Sequence, residues 1–195
     1  MNTPAHAIVN LLFAARRRDL FWAVLAGALL PDLAVLLFYG WQTHLGHSDT
    51  IIWTERYFEP GWQRFFDLFN SLPLLVAGAL VGWFAGVPAI VALMLSMALH
   101  GLIDIPWHSN AAHRPFYPFS DWAPLQNGAW QVPAHWRVWM QLAEAAVVVL
   151  GGAVLAVVHR DWPARLVVAI LVACFVAYGL YALDPALLGL LDDAV

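Results

Sequence analysis

The chain contains no lysine, a single cysteine and few charges of either sign. Only 11% of its 195 residues are charged, against about 25% in soluble domains. That scarcity argues against a soluble enzyme. All nine basic residues are arginines and no basic run is long, so nucleic acid is not an expected partner. Cys174 alone can form neither an internal disulfide nor a cysteine-based zinc cluster. In its apolar run it reads as a small buried hydrophobe. The amino terminus does not follow the signal-peptide pattern, because its positive charges come after the apolar stretch.

Hydrophobic residues are abundant, at 62%, with a mean hydropathy of +0.70. The expected fold is all-α: an integral membrane helical bundle of four to five spanning helices plus a short N-terminal helix. The N-terminal helix covers 3–15, with Thr3 as its N-cap and Pro4 in its first turn. It is either buried or interfacial, being short for a span. Spans are expected over 20–41, 68–84, 89–105, 138–158 and 166–183, each long enough for about 30 Å of hydrocarbon. Residues 42–67 and 106–137 are polar and aromatic and read as loops or interfacial pieces on one side of a single membrane-embedded domain. Eleven tryptophans gather mainly near segment ends, as an interfacial belt requires.

Alternation of the spans puts Arg16, Arg17, Arg18, Arg160 and Arg165 on the side with short loops. The positive-inside rule assigns that side to the cytoplasm. The expected location is a bacterial inner membrane.

The stretch "LHGLIDIPWHSNAAHRPFYPFSDW" then stands out. His100 and Asp104 are four apart, so they share a helix face. Pro106 interrupts that helix, which leaves His108 and His113 on the loop beyond it. Asp32 lies toward the same non-cytoplasmic side of the 20–41 span, and His6 joins it if the first helix runs antiparallel. An isolated carboxylate in hydrocarbon costs about 2.5–3.5 kcal/mol even on lenient scales. Each piece has a plain alternative: Asp32 as a cap after Pro31, His100 and Asp104 as a hydrogen-bonded pair, "SDW" as a turn. Together they favour a shared divalent cation. Mixed His and Asp ligands suit zinc first, with manganese or iron as alternatives.

"PAHAIVNLLFA", "GALLPDL" and "LHGLID…AHRPFYPFSDW" resemble an uncharacterised family of membrane-bound metal-dependent hydrolases. That family is itself similar to the zinc-dependent phospholipase C and single-strand nuclease superfamily. The resemblance covers roughly residues 3–122 and implies phosphoester hydrolysis at clustered metals. It maps His6 to an early histidine ligand, Asp32 to the Pro-Asp carboxylate and His100 with Asp104 to a His-x-x-x-Asp pair. Asp104 would bridge metals, and His108 or His113 would serve a further one. Where the relatives have histidine before Ser-Leu, this chain has Asn70, a weak neutral ligand. It also lacks the soluble enzymes' amino-terminal tryptophan.

Water activated by the metal would attack the phosphorus or carbonyl centre. Arg114 suits a phosphate, and Asp121 would orient a ligand histidine. The expected partners are membrane lipid and a small phosphoester or lipid substrate. A non-catalytic metal-stabilised scaffold, or a small transporter, is the alternative.

Overall fold

The computed structural model describes residues 1–107, 113–123 and 134–183. Among them the regular elements are helices only: α1 Thr3–Phe13, α2 Phe21–His44, α3 Asp49–Thr54, α4 Pro60–Asn70, α5 Leu72–Phe84, α6 Pro88–Trp107, α7 Ala134–Val158 and α8 Trp162–Leu183, with 3₁₀ turns at Arg18–Leu20 and Arg56–Phe58. Among the described residues, four segments are long and apolar enough to cross a membrane: Arg18–His44, Pro88–Ile105, Trp139–Val158 and Trp162–Leu180. A fifth crossing is available to α4 and α5 together, bent by 44° at their junction. Large apolar side chains such as Leu36, Leu37, Val157 and Leu166 stand exposed on these helices, as an integral membrane protein requires. Cys174 is exposed on α8 as well. A lipid-facing position tolerates a small apolar thiol as readily as a core does, so apolar sequence context alone did not reveal its burial.

α1 is too short to span, and it is buried. Ala5, Ala7 and Ile8 are fully buried, and Leu11 nearly so, in a core with Val24 and Ala28 of α2, Val148 and Leu155 of α7, and Val168 of α8. Its N-cap is Asn2, one residue before the expected Thr3: the Asn2 Oδ1 accepts from the Ala5 N–H at 3.2 Å.

Close backbone approach sets the position of α6. A Cβ on Gly27 would lie 2.3 Å from the Leu93 carbonyl oxygen, so only glycine lets α2 and α6 meet there. Beside that contact the Asn10 amide donates to the Ser96 carbonyl and hydroxyl, both at 2.8 Å, and the Ser96 hydroxyl donates to the Val24 carbonyl at 2.7 Å. Three helices are thus tied at one level.

Residues 42–67, expected as loop or interfacial pieces, contain α3 and most of α4. The buried residues of α4 are Gln63, Phe66, Asp67 and Asn70, at helical spacing. Three of those four are polar, which hid the helical period from a reading of apolar residues. Phe38, Ile52 and Phe66 form the small core beneath this cap. Residues 113–123 are fastened to the α4–α5 junction. The Leu72 N–H donates to the Pro115 carbonyl at 2.9 Å, and the Ser71 hydroxyl donates to the Tyr117 carbonyl.

Candidate metal centre

His6 enters the site from buried α1, Asp32 from the turn of α2 that follows Pro31, and His100 with Asp104 from successive turns of α6. His6, His100 and Asp104 offer ligand atoms that all lie within 4.8 Å of one another. The two imidazoles stack, with ring centroids 3.7 Å apart and planes 15° from parallel. His6 is completely buried and His100 is 1% exposed.

Hydrogen bonding fixes how His100 presents itself. Its Nδ1 donates to the Ala28 carbonyl at 2.8 Å. Nε2 is therefore the nitrogen that faces the carboxylates, 3.5 Å from Asp32 Oδ1 and 3.3 Å from Asp104 Oδ2. A neutral ring would aim a lone pair at two carboxylate oxygens, and a cation or a proton must separate them. Two ligands about 2.0 Å from a tetrahedral zinc lie about 3.3 Å apart, close to both spacings. A backbone carbonyl on the far nitrogen is the usual way a ligand histidine is oriented. His6 Nε2 differs: at 2.7 Å from Asp104 Oδ1 it makes a direct hydrogen bond. Its other nitrogen, Nδ1, is buried without a hydrogen-bond partner, as is Asp32 Oδ2.

Asn70 is buried at the end of α4 and donates to the Phe66 carbonyl at 2.9 Å. Its Oδ1 would be 3.6 Å from a Cβ on Gly101, the residue after His100. It therefore faces α6 at the level of the site. The His113 ring lies 6.5 Å from that of Tyr57 and 6.3 Å from that of Phe66. His108 lies outside the described residues.

Arg114 and Asp121 form a second ionic group. Arg114 donates to the buried Asp67 through its backbone N–H at 3.0 Å, through Nε at 2.7 Å and through Nη2. Its Nη1 donates to Asp121 at 2.6 Å, and the guanidinium lies 4.7 Å from the Tyr117 ring centre. Burial opposes the charge on Arg114, but the bonds to Asp67 and Asp121 outweigh it and hold its pKa above the ordinary value. Burial, then Asp67 and Asp104, push the Tyr57 hydroxyl up to about 12. The structure thus places Asp121 on Arg114, where the sequence suggested a ligand histidine, because Asp67 of α4 draws the guanidinium to itself.

Sequence reasoning missed Asp67 and Glu144. The Met1 amino group donates to Asp104 at 3.3 Å, and the Asn2 N–H donates to Glu144 Oε1 at 3.0 Å. Both acids sit in or beside apolar helices, so the cost argument used for Asp32 would have flagged them.

No family model, no curated protein and no solved structure matches this chain.

Proposed function

We propose that this protein is a membrane-bound metal-dependent hydrolase of phosphoesters, lipid-linked ones included, with zinc as the first candidate metal. The observation that carries the reading is His100 Nε2, set by the Ala28 carbonyl toward two carboxylates at near-ligand spacing. His6, His100 and Asp104 would hold the cation, with Asp32 beside them. A divalent cation there supplies Lewis acidity and lowers the pKa of water to about 7. Asp32 Oδ2, buried and without a hydrogen-bond partner, is the acceptor available for a proton from water. The Ala28 carbonyl keeps His100 from rotating. Arg114 is assigned no substrate role, because Asp67 and Asp121 already engage its Nε and both Nη groups.

A non-catalytic scaffold is the second reading. It is favoured by the direct His6–Asp104 bond, which ties α1 to α6 without any cation. Elemental analysis of the purified protein, paired with hydrolysis assays on a chromogenic phosphodiester and on phosphatidylglycerol, separates the two. Stoichiometric metal and hydrolysis, both lost in His100→Ala, are expected of the hydrolase. Metal without hydrolysis of any phosphoester would favour the scaffold, and wild-type protein without metal would remove the proposal.

A further inference from the structure

At the end of the bundle that carries Arg16, Arg17 and Arg18, a crevice of about 560 Å³ opens between α1, the start of α2, α5 and α6. This is within the range of small-molecule sites, about 300–1,000 Å³. Phe13, Trp83, Val91 and Leu95 give it apolar walls, and Arg17 stands on its lining. Asn10 and Ser96 also line it, bonded to each other, with the Ser96 hydroxyl donating to the Val24 carbonyl. Phe13 and Trp83 on its walls are 77% and 71% exposed.

We propose that this crevice binds one acyl chain of an anionic phospholipid, whose phosphate rests on Arg17. The site does not depend on the metal centre. It combines what such a lipid needs: walls of apolar side chains, from Phe13 to Leu95, and a planar cation on the same lining. Arg16 and Arg18 are exposed beside Arg17 and add positive charge at the same level. The partner that Arg17 now holds is weak competition. Asp19 takes its Nε at 3.1 Å and Nη2 at 2.9 Å, but both side chains are more than half exposed, and exposed pairs contribute little. A guanidinium fork suits phosphate at least as well as carboxylate. Basic pockets between membrane helices select anionic headgroups for this reason.

Native mass spectrometry of the full chain, delipidated in neutral detergent, tests the proposal. Phosphatidylglycerol and phosphatidylcholine of matched acyl chains are titrated against wild type, Arg17→Gln and Val91→Trp. Phosphatidylglycerol should bind more tightly to wild type, with one retained molecule. Arg17→Gln should weaken it about fivefold, the worth of one arginine near an anionic lipid, and leave phosphatidylcholine unchanged. Val91→Trp should fill the crevice and reduce both. Arg17 is exposed, so its variant keeps the fold and the test stands even if Val91→Trp does not. Equal binding of the two lipids, an unchanged Arg17→Gln, displacement by inorganic phosphate alone, or a dimer in place of the lipid would each overturn the proposal.

Discussion

Two of the ionic clusters among the described residues are built in opposite ways. The Asp67–Arg114–Asp121 group sets a guanidinium between two carboxylates, with Asp67 fully buried and Asp121 at 90% exposure. Opposite charges meet, and Nε, Nη1 and Nη2 of Arg114 each donate to a carboxylate. The His6–Asp32–His100–Asp104 group has two carboxylates facing two imidazoles, with the Met1 amino group on Asp104, and it leaves His6 Nδ1 and Asp32 Oδ2 without a hydrogen-bond partner. The first cluster is complete as a joint between α4 and the 113–123 segment. The second brings His6, His100 and Asp104 together with ligand atoms within 4.8 Å of one another, and it is there that we propose a cation. Density of ionisable residues along the chain does not separate the two; the type of partner does.

The sharpest break of this comparison is Asp104→Ala. It removes a carboxylate shared by His6 and His100, and metal content by elemental analysis should fall to background. Unchanged metal would dissolve the distinction between the clusters. Asp67→Ala should do the reverse: metal stays, but Arg114 loses its buried partner. Breaking such a pair costs about 3–5 kcal/mol, visible as a lower midpoint in thermal unfolding. Asn70→Ala should leave metal content unchanged and cost about 1 kcal/mol, through the lost buried bond to the Phe66 carbonyl.

His159 belongs to neither cluster and serves as a control. It is buried against Phe21 at the junction of α7 and α8, with both ring nitrogens unpartnered. Burial holds its pKa below the ordinary 6.5, with a smaller push from Arg18 in the same direction and Asp161 opposing. The folded state therefore resists a proton that the unfolded chain accepts. Its contribution is constant above about pH 6.5 and turns destabilising as pH falls toward the lowered value. The difference in stability between wild type and His159→Phe should shrink in favour of the variant over that acid range, measured by unfolding at a series of pH values. The smallest effect is expected from Asp121→Ala. Its side chain is exposed, so stability should change by no more than about 1 kcal/mol, and metal content should not change at all. A loss of metal there would return Asp121 to the neighbourhood of a ligand histidine.

Composition and apolar run length were sufficient for the all-helical membrane architecture and for four of the five expected spans to within a few residues, because lipid demands about 20 apolar residues per crossing; the expected 68–84 span is instead broken between Asn70 and Leu72, with a 44° bend. The His-x-x-x-Asp spacing was sufficient to put His100 and Asp104 on one face of α6, since helical geometry is local. The cost of carboxylates in hydrocarbon pointed to Asp32 as well. Only the tertiary structure decided that α1 is buried, which carries His6 onto Asp104, 98 residues away in sequence. It alone set His100 Nδ1 on the Ala28 carbonyl and drew Arg114 to Asp67. α4 escaped notice because its buried face is largely polar, and polar burial leaves no hydrophobic period to read. The reason is common to these cases: propensity and hydropathy act within one segment, whereas the partner of a buried polar atom is chosen by packing between segments.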